Sequence, residues 1–399
     1  MSAKAGKIAR KLHLAKLLPY VLIAVIFFGF GYKAGGQFWF TSSAQNGSLP
    51  SQLNYTSVNQ LYQLLKTNYD GKLTEQQLLD GLKNGLVDAT NDPYTEYFTA
   101  SQAKAFNGEL NGSFSGIGAQ LGLRNNNLTI VSPLAGFPAA KAGLQSGDII
   151  LSINGQSTTN MNIDVAVDDI RGPKGTTVNL EILRGNQELD FKIVRENITV
   201  PSVTWSITNG IGDMVISQFA NDTSGLAQQA AEDFVQHHVT GVILDLRGDG
   251  GGYLQAGVNV ASLWLPEGDE IVQERAGSKV LDTLTSTGND ILHGIPTAVL
   301  VDGGTASASE IVSGALRDNH VGTLIGSQTF GKGVVQQIFN LSGGAEAKIT
   351  VAKWYTPDGQ NINHQGLTPK IVVPMTQSDL NAGQDPQQAR AVEFLQTGR

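Results

Sequence analysis

Apolar residues recur with a different period in each successive part of this chain. Leu17 to Tyr32 is apolar throughout, and Phe38-Trp39-Phe40 resumes the run after Lys33-Ala34-Gly35-Gly36. Sixteen helical residues span about 24 Å, short of a bilayer core near 30 Å, and extension to Phe40 exceeds it. Residues 17–40 are therefore expected to form a transmembrane anchor. A signal peptide cleaved near Ser42-Ser43-Ala44 is the competing reading. Residues 41–54 are polar with Gly and Pro and read as a linker. Val58, Leu61, Tyr62, Leu64 and Leu65 recur at helical spacing, as do Leu78, Leu79, Leu82, Leu86 and Val87. They predict a helical region over 55–111. Plain packing accounts for these stripes, with a homodimer contact as the second reading.

Residues 112–196 read as a separate unit. Phe114-Ser115-Gly116-Ile117-Gly118-Ala119-Gln120-Leu121 opens it, and Pro138 to Gly155 is its centre. A glycine-rich loop such as Gly116-Ile117-Gly118 offers backbone N–H groups to a terminal carboxylate, and a peptide can add to the strand edge that follows. A dinucleotide-binding loop is a poor fit, since its third glycine is missing and no helical pattern follows. The unit resembles a PDZ domain, which implies that Gly116, Ile117 and Gly118 bind a peptide tail. Arg171-Gly172-Pro173-Lys174-Gly175 reads as a solvated turn, with a regulatory role for Arg171 as the alternative.

The segment 197–375 changes character again. Gly241 to Leu246 is a continuous apolar run with Asp245 embedded, as in a sheet buried on both faces. Leu254, Val258, Ala261 and Leu265 then mark a helix. Ile295 to Val301 forms a second run, ending in Asp302-Gly303-Gly304, and Ile311, Val312, Ala315 and Leu316 mark a second helix. Strand, glycine turn and helix, twice over, predict an α/β core with site loops at the strand ends. The tail 376–399 contains a helix over Pro386 to Gln396.

Charge adds direction. The 399 residues carry a net charge of −8, but residues 1–16 hold five basic residues and no acid, so the remainder carries −13. Basic residues before the anchor place 1–16 in the cytoplasm and the rest outside, at the periplasm or cell exterior. So acidic a remainder argues against nucleic-acid binding. Cysteine is absent, which excludes a disulfide framework, a thiol nucleophile and a thiolate metal site.

Candidate chemistry gathers late in the chain. Ser307 follows Gly303-Gly304-Thr305-Ala306, Lys332 lies between Gly331 and Gly333, and Gln336 comes four residues later. Ser307 is predicted at a helix N-terminus, where free N–H groups and the helix dipole favour an oxyanion. The Ala308 N–H is then a natural donor to a tetrahedral intermediate. Helix capping is the alternative role for this serine. A lysine with an ordinary pKa near 10.4 must be desolvated and brought to roughly 7–8 before it serves as a base. Val334, Val335, Ile338 and Phe339 suit that burial, with no carboxylate from 327 to 340. A surface lysine on a strand edge is the alternative. Lys332 and Gln336 stand about 13 Å apart in a strand and about 6 Å apart in a helical turn; the flanking glycines permit a tight turn. The six histidines are scattered, no His-Glu-x-x-His occurs, and a Gly-x-Ser-x-Gly elbow is absent. A Ser-His-Asp hydrolase using His320 or His364 is the enzyme alternative, Ser309 is a rival nucleophile, and a catalytically silent PDZ-type scaffold is the non-enzyme alternative.

Together these segments resemble the carboxyl-terminal processing peptidases, the tail-specific Ser/Lys proteases of family S41. The resemblance rests on Gly304 to Ile311, on Gly331-Lys332-Gly333 with Gln336, and on the 25-residue separation of Ser307 and Lys332. Asp245 to Leu254 matches the family's strand and glycine turn, Tyr355 to Pro369 its late core strand, and Asp92 to Phe98 the end of its N-terminal helical region. It implies a crotonase/Clp-protease-like core, Ser307 as nucleophile, Lys332 as base and Gln336 as the residue that orients the lysine. It also implies a second oxyanion N–H near Gly251. One departure stands out: the family turn reads Arg-x-Asn-Pro-Gly-Gly, whereas here Asp249 and Gly250 replace Asn and Pro. The expectation is a membrane-anchored α/β multidomain endopeptidase that needs no metal or other cofactor. Its substrates are proteins or peptides with a free, apolar C-terminus.

Overall fold

The computed structural model describes residues 54–398, apart from 125 and 126. The expected tail 1–16, anchor 17–40 and most of the linker lie outside the described residues. Among the described residues, no helix is long and apolar enough to cross a membrane. Two compact units divide between Glu75 and Gln76.

The described part of the first unit is helix α1 (Thr56–Asn68), which begins after Asn54 accepts the Thr56 N–H on its side chain at 2.9 Å. No residue of α1 is buried, and Leu61 and Leu64 are exposed.

From Gln76 onward, α2 (Glu75–Asp88) belongs to the second unit and is also without a buried residue. The chain then enters a sheet as β1 (Glu96–Phe98) and continues as α3 (Ala100–Leu110). A ribbon of β2 (Ser113–Gly116) with β9 (Glu196–Thr199) brackets the PDZ-like module. Inside it lie β3 (Ala119–Arg124), β4 (Asn127–Pro133), α4 (Pro138–Ala142), β5 (Ile149–Ile153), β6 (Gln156–Ser157), α5 (Ile163–Ile170), β7 (Thr177–Arg184) and β8 (Gln187–Val194). Their sheet runs β3-β4-β5-β7-β8, with β6 on β5, so β3 is an edge strand. Alternation along β7 sends Val178, Leu180 and Ile182 into a core of the module's own, with Ile130, Ile150 and Ile193.

The α/β core follows. It begins with β10 (Val203–Thr208), β11 (Ile211–Ile216), α6 (Thr223–Gln236), β12 (Gly241–Asp245) and α7 (Leu254–Ala261). Next come β13 (Glu270–Ala276), β14 (Lys279–Thr285), β15 (Thr297–Val301), α8 (Ala308–Asp318) and β16 (Thr323–Gly326). It ends with β17 (Val334–Asn340), β18 (Glu346–Tyr355), β19 (Ile371–Val372), α9 (Gln377–Ala382) and α10 (Pro386–Thr397). The main sheet has the order β10-β11-β12-β15-β16-β19, parallel except for the β10–β11 hairpin. Every residue of β12 and β15 is buried, which explains their unbroken apolar runs. Helices α6, α7 and α8 cover one face, and α10 packs on the other against Ile243, Ala298 and Leu300. A second sheet, β1-β18-β13-β14 with β17 on β18, carries the other side of the site.

The Tyr355–Pro369 segment corrects an expectation. Only Tyr355 is strand; the rest is an irregular strap. Pro357 cannot donate to a ladder and Gly359 turns with φ 78°, so pairing ends there. The strap still anchors itself through Ile362 and Leu367, both fully buried.

Arg247 joins α10 to the end of β12. Its guanidinium donates to Asp245 at 2.6 Å and to Asp385 and Gln387 at 3.0 and 3.1 Å. Removing it leaves the buried Asp245 carboxylate unpaired. Arg247→Leu is expected to lower unfolding stability by about 3–5 kcal/mol, measured by urea denaturation; a loss below about 1 kcal/mol would show that the clamp is dispensable.

Candidate active site

Strand β15 ends at Val301 and α8 begins at Ala308, and the six residues between them turn the chain sharply. Asp302 accepts the Gly304 N–H at 2.9 Å, and the Thr305 hydroxyl, fully buried, donates to the Leu246 carbonyl at 2.8 Å. Ser307 sits on the helix cap with φ 58° and ψ −117°. That conformation costs a non-glycine residue about 1–3 kcal/mol and persists only where its surroundings enforce it. The Gly-x-Ser-x-Gly pattern is missing, yet the backbone makes a strained elbow. Ala308 is the first helical residue, so its N–H has no acceptor within the helix.

Glu310, fully buried, enforces the elbow. One carboxylate oxygen accepts the backbone N–H of Ser307 at 3.0 Å and of Lys332 at 2.9 Å. The other accepts the Gly331 N–H at 2.8 Å and the Thr329 hydroxyl at 2.5 Å. Burial pushes the Glu310 pKa up, and these four donors pull it back only in part. The candidate nucleophile and the candidate base thus hang from one side chain. In the sequence its one signal is Ser-x-x-Glu before an apolar helix, the spacing of a capping box.

Lys332 lies in the loop before β17. Its carbonyl accepts the Trp354 indole N–H at 2.8 Å, and Gly331 and Gly333 lie against the strap. A Cβ on Gly333 would meet Asn363 N at 2.5 Å, so only glycine allows this approach. The Lys332 ammonium stands 5.4 Å from the centre of the Tyr94 ring. Burial pulls its pKa below the ordinary lysine range and Lys348 adds repulsion, while Glu96, Glu310 and Asp92 oppose. The apolar neighbours in β17 are only part of this environment, since the carboxylates and Lys348 come from distant segments.

Gln336 reaches the same cavity from within a strand, not a helical turn. A register shift between Val335 and Gln336 breaks the alternation of β17, so both residues line the cavity. The Gln336 amide donates to the Tyr94 carbonyl, the residue whose ring faces Lys332. Its link to the lysine therefore runs through Tyr94.

The glycine turn after β12 closes the cavity from the other side. Gly251 has φ 96°, and a Cβ there would lie 2.7 Å from Ser307 Cβ and 2.9 Å from Ala308 N. The turn packs on the serine, and the Gly251 N–H, expected to face an oxyanion, donates to Asp249 Oδ1 at 2.8 Å. Asp249 is fully buried, and its carbonyl accepts the Ala306 N–H at 2.9 Å and the Ser309 hydroxyl at 3.0 Å. That bond gives the rival Ser309 a structural task. His320 and His364 are exposed, and neither lines the cavity. The cavity itself is about 340 Å³. Ser307, Ala308, Lys332, Gln336 and Gly251 line it, against an apolar wall that includes Val272, Ile311 and Trp354.

A second groove of about 170 Å³ lies in the PDZ-like module between β3 and α5. Gly116, Ile117 and Gly118 line it with Leu121, Val167 and Ile170. Gly118 has φ 70°, and a Cβ there would lie 2.5 Å from Phe137 Cβ. Arg171 stacks 4.9 Å from the Phe114 ring at the groove's edge.

Comparison with known proteins agrees with this layout. Residues 210–373 match peptidase family S41, residues 106–183 match the PDZ domain, and residues 38–102 match the activating protease CtpB N-terminal domain. The chain is similar to a probable CtpA-like serine protease of Staphylococcus epidermidis, 37% identical over 323 residues, or 80% of this chain and 65% of that protein. A Staphylococcus aureus counterpart is 36% identical over 325 residues, or 81% of this chain and again 65% of the relative. The chain thus spans 65% of the length of these curated relatives. Among solved structures it resembles a photosystem II D1 C-terminal processing protease, with TM-score 0.53 and 28% identity over 80% of this chain and 88% of that one. It also shares its fold with a putative S41 protease from Bacteroides fragilis, with TM-score 0.57 and 17% identity over 88% of this chain and 99% of that one.

Glu310→Gln keeps the side-chain volume but offers only one oxygen to donors on two sides. Two or more buried donors lose their acceptor, at roughly 1–3 kcal/mol each. The variant is expected to unfold at least about 2 kcal/mol more easily than the parent in denaturant titration; an unchanged midpoint would deny Glu310 its part in holding the site.

Proposed function

We propose, from the match of residues 210–373 to peptidase family S41, that this chain is a serine endopeptidase that cleaves near the C-termini of extracytoplasmic proteins. The observation that carries this reading is the meeting of Ser307 and Lys332, the lysine with a lowered pKa, at one cavity beside the N-terminus of α8.

In the proposed reaction Ser307 Oγ attacks the scissile carbonyl carbon and neutral Lys332 Nζ takes the hydroxyl proton. The tetrahedral oxyanion is met by the Ala308 N–H and, once free of Asp249, by the Gly251 N–H. The C–N bond breaks and Lys332 returns the proton to the leaving amine. Water then attacks the acyl-enzyme in the same manner and restores Ser307. Gln336 holds Tyr94, and so the lysine's surroundings, in place. This chemistry calls for no metal or nucleotide.

The apolar wall of the cavity suits an apolar residue before the cut. The apolar groove beside Gly116-Ile117-Gly118, next to the free edge of β3, suits a free tail with an apolar last residue. Similarity to a D1 C-terminal processing protease supports action near C-termini. We further propose a single-pass anchor over 17–40 with the catalytic part outside the membrane. The exposed leucines of α1 suit contact with a second copy.

Ser307→Ala and Lys332→Ala are expected to reduce cleavage of unfolded polypeptides by several orders of magnitude, since nucleophile and base act as a unit. Gln336→Ala should cost less, and EDTA nothing. Activity retained in Ser307→Ala but lost in Ser309→Ala would reassign the nucleophile.

On its acid side the rate should rise with pH, because Lys332 works only when neutral and burial lowers the pH at which it becomes so. Initial rates from pH 5 upward test this; a maximum near pH 5 would point to a carboxylate base instead.

Amidating a substrate's C-terminus removes charge-assisted bonds worth roughly 1.5–3 kcal/mol, so binding should weaken by about one to two orders of magnitude while slow cleavage persists. Equal rates on matched free-acid and amidated peptides would mean that the groove does not read tails.

A further inference from the structure

Asp249 stands where a carboxylate is least expected. It is fully buried and directly behind the glycine that packs on Ser307. Its Oδ1 accepts the Gly251 N–H, while Oδ2 is buried without a partner among the described residues. The turn is anchored whatever the state of this side chain, because the Asp249 carbonyl already holds Ala306 and Ser309. The carboxyl is therefore free to act on Gly251 alone.

The charged groups on the surrounding elements are otherwise engaged. Arg247, on the same turn, is committed to Asp245 and Asp385. Asp302 accepts the Gly248 N–H, and Glu310 holds Ser307 and Lys332. Asp222, on the loop beyond Phe219, accepts the Ser202 N–H. Lys332, across the cavity, faces Tyr94.

We propose that Asp249 is a positioning residue that decides whether the Gly251 N–H is available to the oxyanion: the neutral carboxyl releases it and the carboxylate retains it. This rests on the reading of Ser307 as nucleophile. Two effects act with the same sign. A hydrogen bond to a carboxylate is roughly twice as strong as one to a neutral acceptor, so ionised Asp249 competes better for Gly251. A buried negative charge beside a developing oxyanion also repels it. Burial pushes the Asp249 pKa up to about 7, and the Gly251 bond offsets it only in part. The residue is therefore neutral at pH 6 and mostly charged at pH 8.5. Ionisation of Asp249 opposes the gain from Lys332 deprotonation over the same range.

The test compares wild type with Asp249→Asn, the uncharged isostere, in kcat and KM on one peptide from pH 5.5 to 9. The two should match within about twofold at pH 6. At pH 8.5 the variant should be faster in kcat by on the order of tenfold, a difference of about 1.4 kcal/mol, with KM unchanged. Should Asp249→Asn fail to melt cooperatively, Asp249→Ser, a smaller uncharged acceptor, replaces it with the same expected trend. Turnover in both proteins with a ratio that does not vary with pH overturns the proposal alone. No Ser307-dependent turnover in either protein at any pH overturns the hydrolase reading and this proposal with it.

Discussion

Glu310 makes contact with both halves of the site through one carboxylate. It holds the N–H groups of Ser307 and Lys332 on one oxygen, and Gly331 and Thr329 on the other. These donors come from two segments that are separated by α8 and β16. A buried carboxylate is costly unless its lone pairs are filled, so the four donors and the acid stabilise one another. The strained φ of Ser307, the entry of α8 and the path of the 329–333 loop all follow from that mutual requirement.

Asp249 offers the contrast. Both acids are fully buried, and burial raises the pKa of each. Among the described residues Glu310 is met by four donors; the Asp249 carboxyl has one donor, and an oxygen with none. The first arrangement fixes geometry. The second leaves a group poised near neutrality within two residues of the closest backbone approach to Ser307. Glycine at position 250, where the family turn has Pro, leaves φ unconstrained in this turn.

The PDZ-like module has a hydrophobic core separate from that of the α/β core. Its groove is built from an edge strand and the helix α5, whereas the cavity is built from two sheets and α8. Binding and chemistry therefore draw on different packing. This matches the proposed division of labour, in which one part retains a tail and the other cuts the chain.

Much of this was legible in the sequence. Buried parallel strands read as continuous apolar runs, and α8 and α10 showed helical spacing close to their observed limits. Ser307 and Lys332 stood out because glycines flank them at turns. Such signals are local: propensity, period and turn chemistry act over a few residues. What remained hidden was long-range. Tyr94 faces Lys332 across 238 positions of sequence, and Asp92, Glu96 and Lys348 shape its charge environment from distant segments. The shift in β17 that turns Gln336 into the cavity comes from pairing with β18. The sequence alone determined that Ser307 and Lys332 could do chemistry and that the buried runs at β12 and β15 would be strands, because those depend on neighbours along the chain. Only the tertiary structure decided which carboxylate meets which donor and how far Lys332 is desolvated, because burial and hydrogen bonding depend on neighbours in space.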